Sequence, residues 1–345
     1  MYLFSKMYPQ GRWFYFPAAI LIKWTLGFLL LLVLLPFARA LRRRAVRREV
    51  VFLILPPAVY FGMALPSKLD IGIRHIMPTM PFLMVLVAAG AMALSRQSRV
   101  WAWTVGVLVA LHIGSSLRAF PNYLPYSNEI FGGPSRTYRA LSDSNVGWGG
   151  GLKALHASLE KRHITKCWFA YSALPIPADF QIPCKRLPTF FSMLMQYPQA
   201  PVPVQIEGPV FVSSEEISGS FWGPKEMNPY YTFALRRPSR VIAGEILEYD
   251  GTFEAKPIAA VSEFMDADEM LHEGKTAEAV IDAEQAVALD PESLLAHEAL
   301  ASADAADHLD KAAMLQYQVE EQLFRTVHPA FQATEFPPEK PDLRQ

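Results

Sequence analysis

Cysteine is scarce in this chain, and the familiar catalytic signatures are missing from it. The 345 residues include two cysteines, Cys167 and Cys184, which are too few for a metal-binding cluster. No CxxC pair, HExxH helix, Walker loop or GxSxG elbow is present, which argues against the common zinc, nucleotide and serine-hydrolase chemistries. The opening MYLFSKMYPQGRWFYFP has no basic stretch leading into a short apolar one, so it is not typical of a signal peptide.

Charge is sparse as well and unevenly distributed. Charged residues make up 19% of the chain, hydrophobic residues make up 51%, and the formal net charge is −1. Long apolar runs dominate residues 1–120, whereas acids crowd the last 100 residues, so the near-neutral total says nothing about partners. Nothing points to nucleic acid. The length predicts two or three domains.

Four apolar segments are long enough, or nearly so, to cross a membrane as helices. We predict spans at 16–38, 50–65, 76–94 and 100–117, within a transmembrane domain over 1–118. The second segment is short and carries Pro56 and Pro57, which predicts a kink or tilt.

Arginines predict the orientation of these spans. Two sets of arginines lie between spans: Arg39, Arg42, Arg43, Arg44, Arg47 and Arg48 between the first and second, and Arg96 and Arg99 between the third and fourth. Cytoplasmic loops are enriched in Arg and Lys, so both loops are predicted in the cytoplasm. The N-terminus, the 67–75 loop and everything after residue 117 are then predicted to be extracytoplasmic.

The polar link SKLDIGIRHIMPTMPF at 67–82 is the first candidate site. It places Lys68, Asp70, Arg74 and His75 between two apolar segments, where cations can meet an anionic lipid headgroup. The alternative is that these cations only anchor helix ends in the interface. Lys23, about two turns inside the first span, either shares that anion or extends its side chain to the interface.

Residues 119–257 predict a small extracytoplasmic α/β domain. Helices are predicted near 135–141 and at 152–162, and strands at 164–171, 209–213, 232–235 and 240–249. Glu129, Asp143 and Asn145 lie in its first loops, where such residues form either a site or ordinary turns and caps. Cys167 and Cys184 are predicted either to form a disulfide or to remain buried thiols.

Residues 258–326 predict helices with an internal repeat. An offset of 34 residues aligns Ala267 with Ala301, Ala279 with Ala313, and Gly274 with His308. This period resembles the tetratricopeptide repeat. The second copy lacks the turn glycine, so a peptide-binding groove and a plain helical hairpin remain alternatives. A disordered tail is predicted over 327–345.

Five stretches together carry a wider resemblance. They are GRWFYFP at 11–17, the span with Lys23, GIRHIMPTMPF at 72–82, YSNEIFGGP at 126–134 and DSNVGWGGGL at 143–152. In this order they resemble the C-terminal half of bacterial GT-C membrane glycosyltransferases, in the family 39-like group of protein mannosyltransferase and aminoarabinose transferase relatives. The resemblance covers about residues 1–255. Gly147, Gly150 and Gly151 depart from the polar side chains that the family has in the last stretch.

The resemblance implies sugar transfer from a polyprenyl-phosphate donor at the outer face of the bacterial inner membrane. Arg74 and His75, with Lys23 and Lys68, are then expected against the donor phosphate, since cations stabilise a leaving phosphate. Glu129, Asp143, Asn145 and Trp148 form a candidate loop site. The family's catalytic acid, which can also hold a divalent metal, lies in an earlier outer loop, so no catalytic residue, cofactor or metal ligand is expected here.

Three interpretations follow. The chain is the C-terminal portion of such an enzyme, complemented by a separate N-terminal half, or an intact enzyme whose start codon is misassigned. Alternatively, it is a non-catalytic membrane-anchored protein whose extracytoplasmic repeat helices bind a protein partner.

Overall fold

The computed structural model describes residues 1–8, 11–68, 71–172, 177–197, 200–223 and 227–327. The protein is mostly helical, with a small mixed sheet. The chain divides into two compact units: residues 1–154 with 241–245, and residues 155–240 with 246–345. The predicted tail lies outside the described residues beyond Val327, where the last helix ends.

Five helices form the first unit. They are α1 (Tyr15–Lys23), α2 (Leu26–Leu34), α3 (Arg47–Ala64), α4 (Met80–Ser95) and α5 (Arg99–Ala119), preceded by the hairpin β1 (Tyr2–Leu3) and β2 (Lys6–Met7). Short 3-10 segments include Arg39–Arg42, Arg44–Val46 and Gly72–Thr79. The core between α2, α4 and α5 contains Trp24, Phe28, Val87 and Leu94.

Two of these helical segments are long and apolar enough to cross a membrane: Gly72–Ser95, which includes α4, and α5. A third span arises if α1 and the helical run Leu26–Phe37, which meet at 113°, are counted together. This bent pair falls within the predicted first span. Helix α3 is not among these segments of the described chain, because its first turn contains three charged residues, Arg47, Arg48 and Glu49.

The second unit begins within α6 (Leu152–Lys161) and contains the sheet. Strands β3 (Trp168–Ala170), β4 (Lys185–Arg186), β6 (Val210–Ser213) and β8 (Ile246–Tyr249) lie in the order β4-β3-β6-β8. Strand β3 runs parallel to β4 and β6, whereas β8 is antiparallel to β6. Strands β5 (Gln205–Glu207) and β9 (Thr252–Glu254) form a separate antiparallel ribbon.

Two strand predictions need correction. The segment 232–235 belongs to the short helix α9 (Tyr231–Ala234), where Asn228 accepts from the Tyr230 amide and starts the turn. The predicted strand 240–249 is two strands, β7 (Arg240–Ile242) and β8, because Ala243 and Gly244 adopt φ values of 51° and 80° between them. Two further short helices, α7 (Phe190–Leu194) and α8 (Ser214–Ser218), connect the strands.

Four helices end the described chain: α10 (Lys256–His272), α11 (Thr276–Leu289), α12 (Leu294–Ala306) and α13 (Asp310–Val327). The alanines aligned by the 34-residue offset, Ala267, Ala279, Ala301 and Ala313, are fully buried. Gly274 and His308, also aligned, both have positive φ, at 77° and 62°. The second turn therefore has the same handedness as the first without the glycine.

Candidate functional site

The break between α1 and α2 fixes the loops around it. Trp24 is extended there, so carbonyls near the end of α1 lose their helical partners. The buried Asn128 side chain donates to the carbonyls of Leu21 (2.6 Å) and Trp24 (3.0 Å). The loop that carries Glu129 is thereby held against the end of α1.

Lys23 connects the same break to two loops. Its ammonium donates to the carbonyl of Leu124 at 2.5 Å and to that of Asn145 at 2.6 Å. Two of its three donors therefore hold backbone together. Its expected contact with a donor phosphate stays a prediction, and the structure adds a structural role.

Asn145 joins three of the stretches that were grouped in the sequence. Its side chain is fully buried, and its Oδ1 accepts from the Ile73 amide at 2.8 Å. Its Nδ2 donates to the Tyr15 hydroxyl (3.0 Å) and to the Ser142 carbonyl (3.1 Å). The GIRH stretch, the DSN stretch and α1 therefore meet at one side chain.

Gly72 allows this contact to form. Its φ is +67°, and a Cβ there would lie 2.7 Å from Ser144 Oγ and 2.9 Å from Asn145 Oδ1. A side chain would meet both backbone strain and fixed neighbours. The glycine that opens the GIRH stretch is thus required by the buried Asn145.

Arg74 is held on the exposed side of this junction. Its Nε donates to the Ile71 carbonyl at 2.8 Å, and its guanidinium carbon lies 4.8 Å from the ring centroid of Trp148. Trp148 is 51% exposed, and Arg74 is exposed as well. A stacked guanidinium keeps its in-plane donors available to a ligand. We call residues 72–75 together with 143–148 the Arg74–Trp148 site.

His75 completes the site beside Arg74. Its ring lies 5.3 Å from that of Phe16, and its carbonyl accepts from the Tyr60 hydroxyl at 2.9 Å. Its Nδ1 is buried and has no hydrogen-bond partner among the described residues. An unsatisfied buried ring nitrogen can bond to a ligand oxygen when it carries the proton.

The predicted cations differ in their contacts. Arg74 and His75 are neighbours on the 3-10 segment Gly72–Thr79. Lys68 is exposed, and no contact of its ammonium is seen among the described residues. Asp70, the acid of the predicted link, lies outside the described residues.

Glu129 lies in a separate cleft of about 230 Å³, which Arg118 and Tyr126 also line. The Glu129 carboxylate accepts from the Ser115 hydroxyl at 2.6 Å. Burial raises the pKa of Tyr126 to about 12, and the negative charge of Glu129 adds to this shift. Tyr126 is therefore neutral across the physiological range and unsuited to act as a base.

The rest of the DSN stretch has structural contacts. Asp143, at φ 54°, accepts from the Ser144 hydroxyl at 2.9 Å. The Gly151 amide donates to the buried carboxylate of Glu245, which occupies the space that a Cβ on Gly151 would take. A buried carboxylate thus caps the start of α6.

In the second unit, Cys167 and Cys184 are joined by a disulfide that spans 17 residues of chain. They immediately precede β3 and β4, and the Lys185 amide donates to the Cys167 carbonyl at 2.8 Å. Of the two alternatives left by the sequence, the structure therefore contains the bridge.

The second unit also buries an acid. Glu216, in α8, is fully buried and accepts from the Ser172 hydroxyl and from the Trp222 indole N–H. Burial raises the pKa of Glu216 to about 7, although both hydrogen bonds favour the ionised form. Glu216 therefore changes charge near neutral pH.

Sequence reasoning did not single out Asn128, Glu216 or Glu245. Their roles depend on carbonyls and amides that become unsatisfied only in the folded chain, and no spacing pattern marks them. Within the described ranges, no group of three or more His, Cys, Asp or Glu residues could hold a metal ion.

With this geometry established, comparison with known proteins adds no identity. No protein-family model, curated protein or solved structure matches the chain.

Proposed function

We propose that this protein is a membrane protein whose Arg74–Trp148 site binds the phosphate of a polyprenyl-phosphate-linked sugar, as the donor side of glycosyl transfer. One observation carries the proposal. Buried Asn145 fixes the GIRH stretch so that exposed Arg74 and the unpartnered Nδ1 of His75 lie together at the end of an apolar helix.

The chemistry of these groups fits a phosphate. A guanidinium binds phosphate oxygens through parallel N–H donors, and a histidine ring N–H is a further donor. The Arg74 Nε donates to the Ile71 carbonyl. Its two terminal nitrogens have no hydrogen-bond partner among the described residues and are free to donate to a ligand. The phosphate would therefore meet Arg74 donors that are already oriented.

These groups suit the leaving-group side of the transfer. The bond between the sugar carbon and the phosphate oxygen breaks, a bond to an acceptor oxygen forms, and the acceptor's proton must pass to a base. Cations beside the departing phosphate stabilise the charge that develops on it. We assign no residue of this chain as that base.

The proposed membrane arrangement has four spans, with α3 as the additional one. Its apolar part, from Val50 onward, follows the arginines and is bounded by the water interface at Arg47 and Arg48. Both arginine loops are then cytoplasmic, and the Arg74–Trp148 site and the second unit are extracytoplasmic. The proposed location is the bacterial inner membrane.

Replacing both cations tests this function. Arg74→Ala with His75→Ala should weaken polyprenyl-phosphate binding in nanodiscs by more than tenfold, or about 1.4 kcal/mol. Arg237→Ala with His156→Ala removes one residue of each type from the second unit and should leave affinity unchanged. Equal affinity in both double variants would reduce the 67–75 loop to an interfacial anchor.

A second candidate function rests on the second unit. A cleft of about 430 Å³ is lined by aromatic residues, including Phe221, Trp222 and Tyr231, and by acids, including Glu298 and Glu320. Residues 256–327 contain 16 Asp and Glu against 4 Lys and Arg. Aromatic faces with nearby carboxylates suit a cationic side chain, so the alternative is a non-catalytic, membrane-anchored protein that binds a basic segment of a protein partner.

Under this alternative, a Lys- and Arg-rich peptide should bind the full chain more weakly as salt rises. Glu298→Gln with Glu320→Gln should weaken that binding about tenfold, measured by fluorescence anisotropy of the labelled peptide. Glu254→Gln with Glu269→Gln, which lie outside the cleft, is the matched control. Unchanged peptide affinity in the Glu298→Gln, Glu320→Gln variant would contradict this alternative.

A further inference from the structure

Eight arginines gather at one end of the first unit. All are exposed: Arg39, Arg42, Arg43, Arg44, Arg47, Arg48, Arg96 and Arg99. The two stretches that carry them are joined, since Gln97 donates to the Phe37 carbonyl at 3.1 Å and the Phe37 and Trp101 rings stack at 5.9 Å. We call this surface the arginine end.

The backbone that carries the arginine end packs against the apolar core of the first unit. Ala38 is fully buried in the same cluster as Leu94, and Leu41 packs against that cluster. The arginines around Ala38 and Leu41 are the exposed positions of these 3-10 turns. The fold therefore holds this concentration of positive charge in place.

Within the part of the chain that the structure describes, no ion pair compensates the positive charge at this end. Glu49 is the sole acid in residues 39–49. Helices α3 and α5 also start here, with Arg47 and Arg99 at their first positions. A helix N-terminus is itself partially positive, so cations there are unfavourable unless an anion is present.

We propose that the arginine end is a binding surface for the headgroups of anionic phospholipids. Apolar and aromatic surface continues from it along α5, where Val100 is 73% exposed and Trp103 is 77% exposed. A phospholipid satisfies both features, because its phosphate meets the arginines and its acyl chains cover the apolar face.

This surface is distinct from the Arg74–Trp148 site. Helix α4 separates Gly72–Thr79 from Arg96, and its 16 residues span about 24 Å. The two ends are therefore separated by a distance close to the thickness of a bilayer's hydrocarbon core. The inference does not depend on the proposed binding of a sugar donor.

Lipid retention by the full chain in detergent tests the inference. Phosphatidylglycerol, titrated and counted by native mass spectrometry, should bind at least tenfold more tightly than phosphatidylcholine with the same acyl chains. Changing Arg42, Arg43, Arg44, Arg47 and Arg48 to Gln should remove that preference, whereas changing them to Lys should largely keep it. Both variants should keep the thermal midpoint of the unmodified protein, which shows that they fold, whether or not a sugar donor binds at the other end.

Three outcomes would overturn the inference. One is equal retention of the two lipids by the unmodified protein. Another is an unchanged preference for phosphatidylglycerol in the Gln variant. The third is displacement of phosphatidylglycerol by an equal concentration of inorganic phosphate, which would show a site for free phosphate instead.

Discussion

Asn145→Ala is expected to lower the stability of the protein by about 1–3 kcal/mol and to release the Gly72–Arg74 backbone. The substitution removes the acceptor for the Ile73 amide and the donor to the Tyr15 hydroxyl and the Ser142 carbonyl. The Ile73 amide is left without its acceptor, which costs about 1–3 kcal/mol, whereas the Ser142 carbonyl still accepts from the backbone amide of residue 145. The cost arises because Asn145 is fully buried, away from bulk solvent.

Two measurements check this expectation on the full chain in detergent. The thermal midpoint should fall, and trypsin should cleave faster after Arg74, with the new peptide identified by mass spectrometry. Asn122→Ala, in a loop and without such bonds, is the matched control. Unchanged cleavage at Arg74 in the Asn145 variant would mean that Asn145 does not position the site.

Glu216→Gln is expected to stabilise the protein above pH 7 by up to about 3 kcal/mol. The folded-state pKa of Glu216 is about 7, against 4.5 for an ordinary glutamate. Ionisation therefore costs the folded protein stability as the pH rises from 4.5 to 7, and the penalty is complete above that range. Glutamine keeps the oxygen for Trp222 and can donate to the Ser172 hydroxyl, so it avoids the penalty without losing partners.

The midpoint of denaturant unfolding, followed across pH, measures this effect. The difference between Glu216→Gln and the unmodified protein should be small at pH 4.5 and grow toward pH 7. Glu207→Gln, at an exposed strand position, should leave the pH profile unchanged. If the stability of Glu216→Gln follows the same pH profile as that of the unmodified protein, ionisation of Glu216 does not destabilise the folded state.

Helix positions in the first unit were largely predictable, because apolar runs of membrane length form helices in any packing. The 113° break between α1 and α2 could not be predicted from the sequence. It depends on Thr25, which caps α2, and on hydrogen bonds from Asn128 and Lys23 to carbonyls far away in the sequence. The fully buried alanines of the repeat followed from spacing alone. The helix at 231–234 did not follow from the sequence, because Thr232 and Phe233 suit a strand equally well and the preceding turn is started by the Asn228 side chain.

For the candidate site too, the sequence predicted some features and not others. The sequence singled out Arg74, His75, Asn145 and Trp148, but not how they are arranged. That Asn145 is the buried support, Arg74 the exposed cation and Trp148 its stacking partner depends on long-range contacts. The sequence also grouped Lys23 with the anion-binding cations, whereas its two closest partners are backbone carbonyls.

Photo-crosslinking of a polyprenyl phosphate to the full chain in nanodiscs tests the central claim most directly. A probe with its photoreactive group beside the phosphate should label residues 72–75 and Trp148, and unlabelled polyprenyl phosphate should compete whereas the parent polyprenol should not. Labelling spread along α2, α4 and α5, or competition by the polyprenol, would contradict a phosphate-binding site at Arg74 and Trp148.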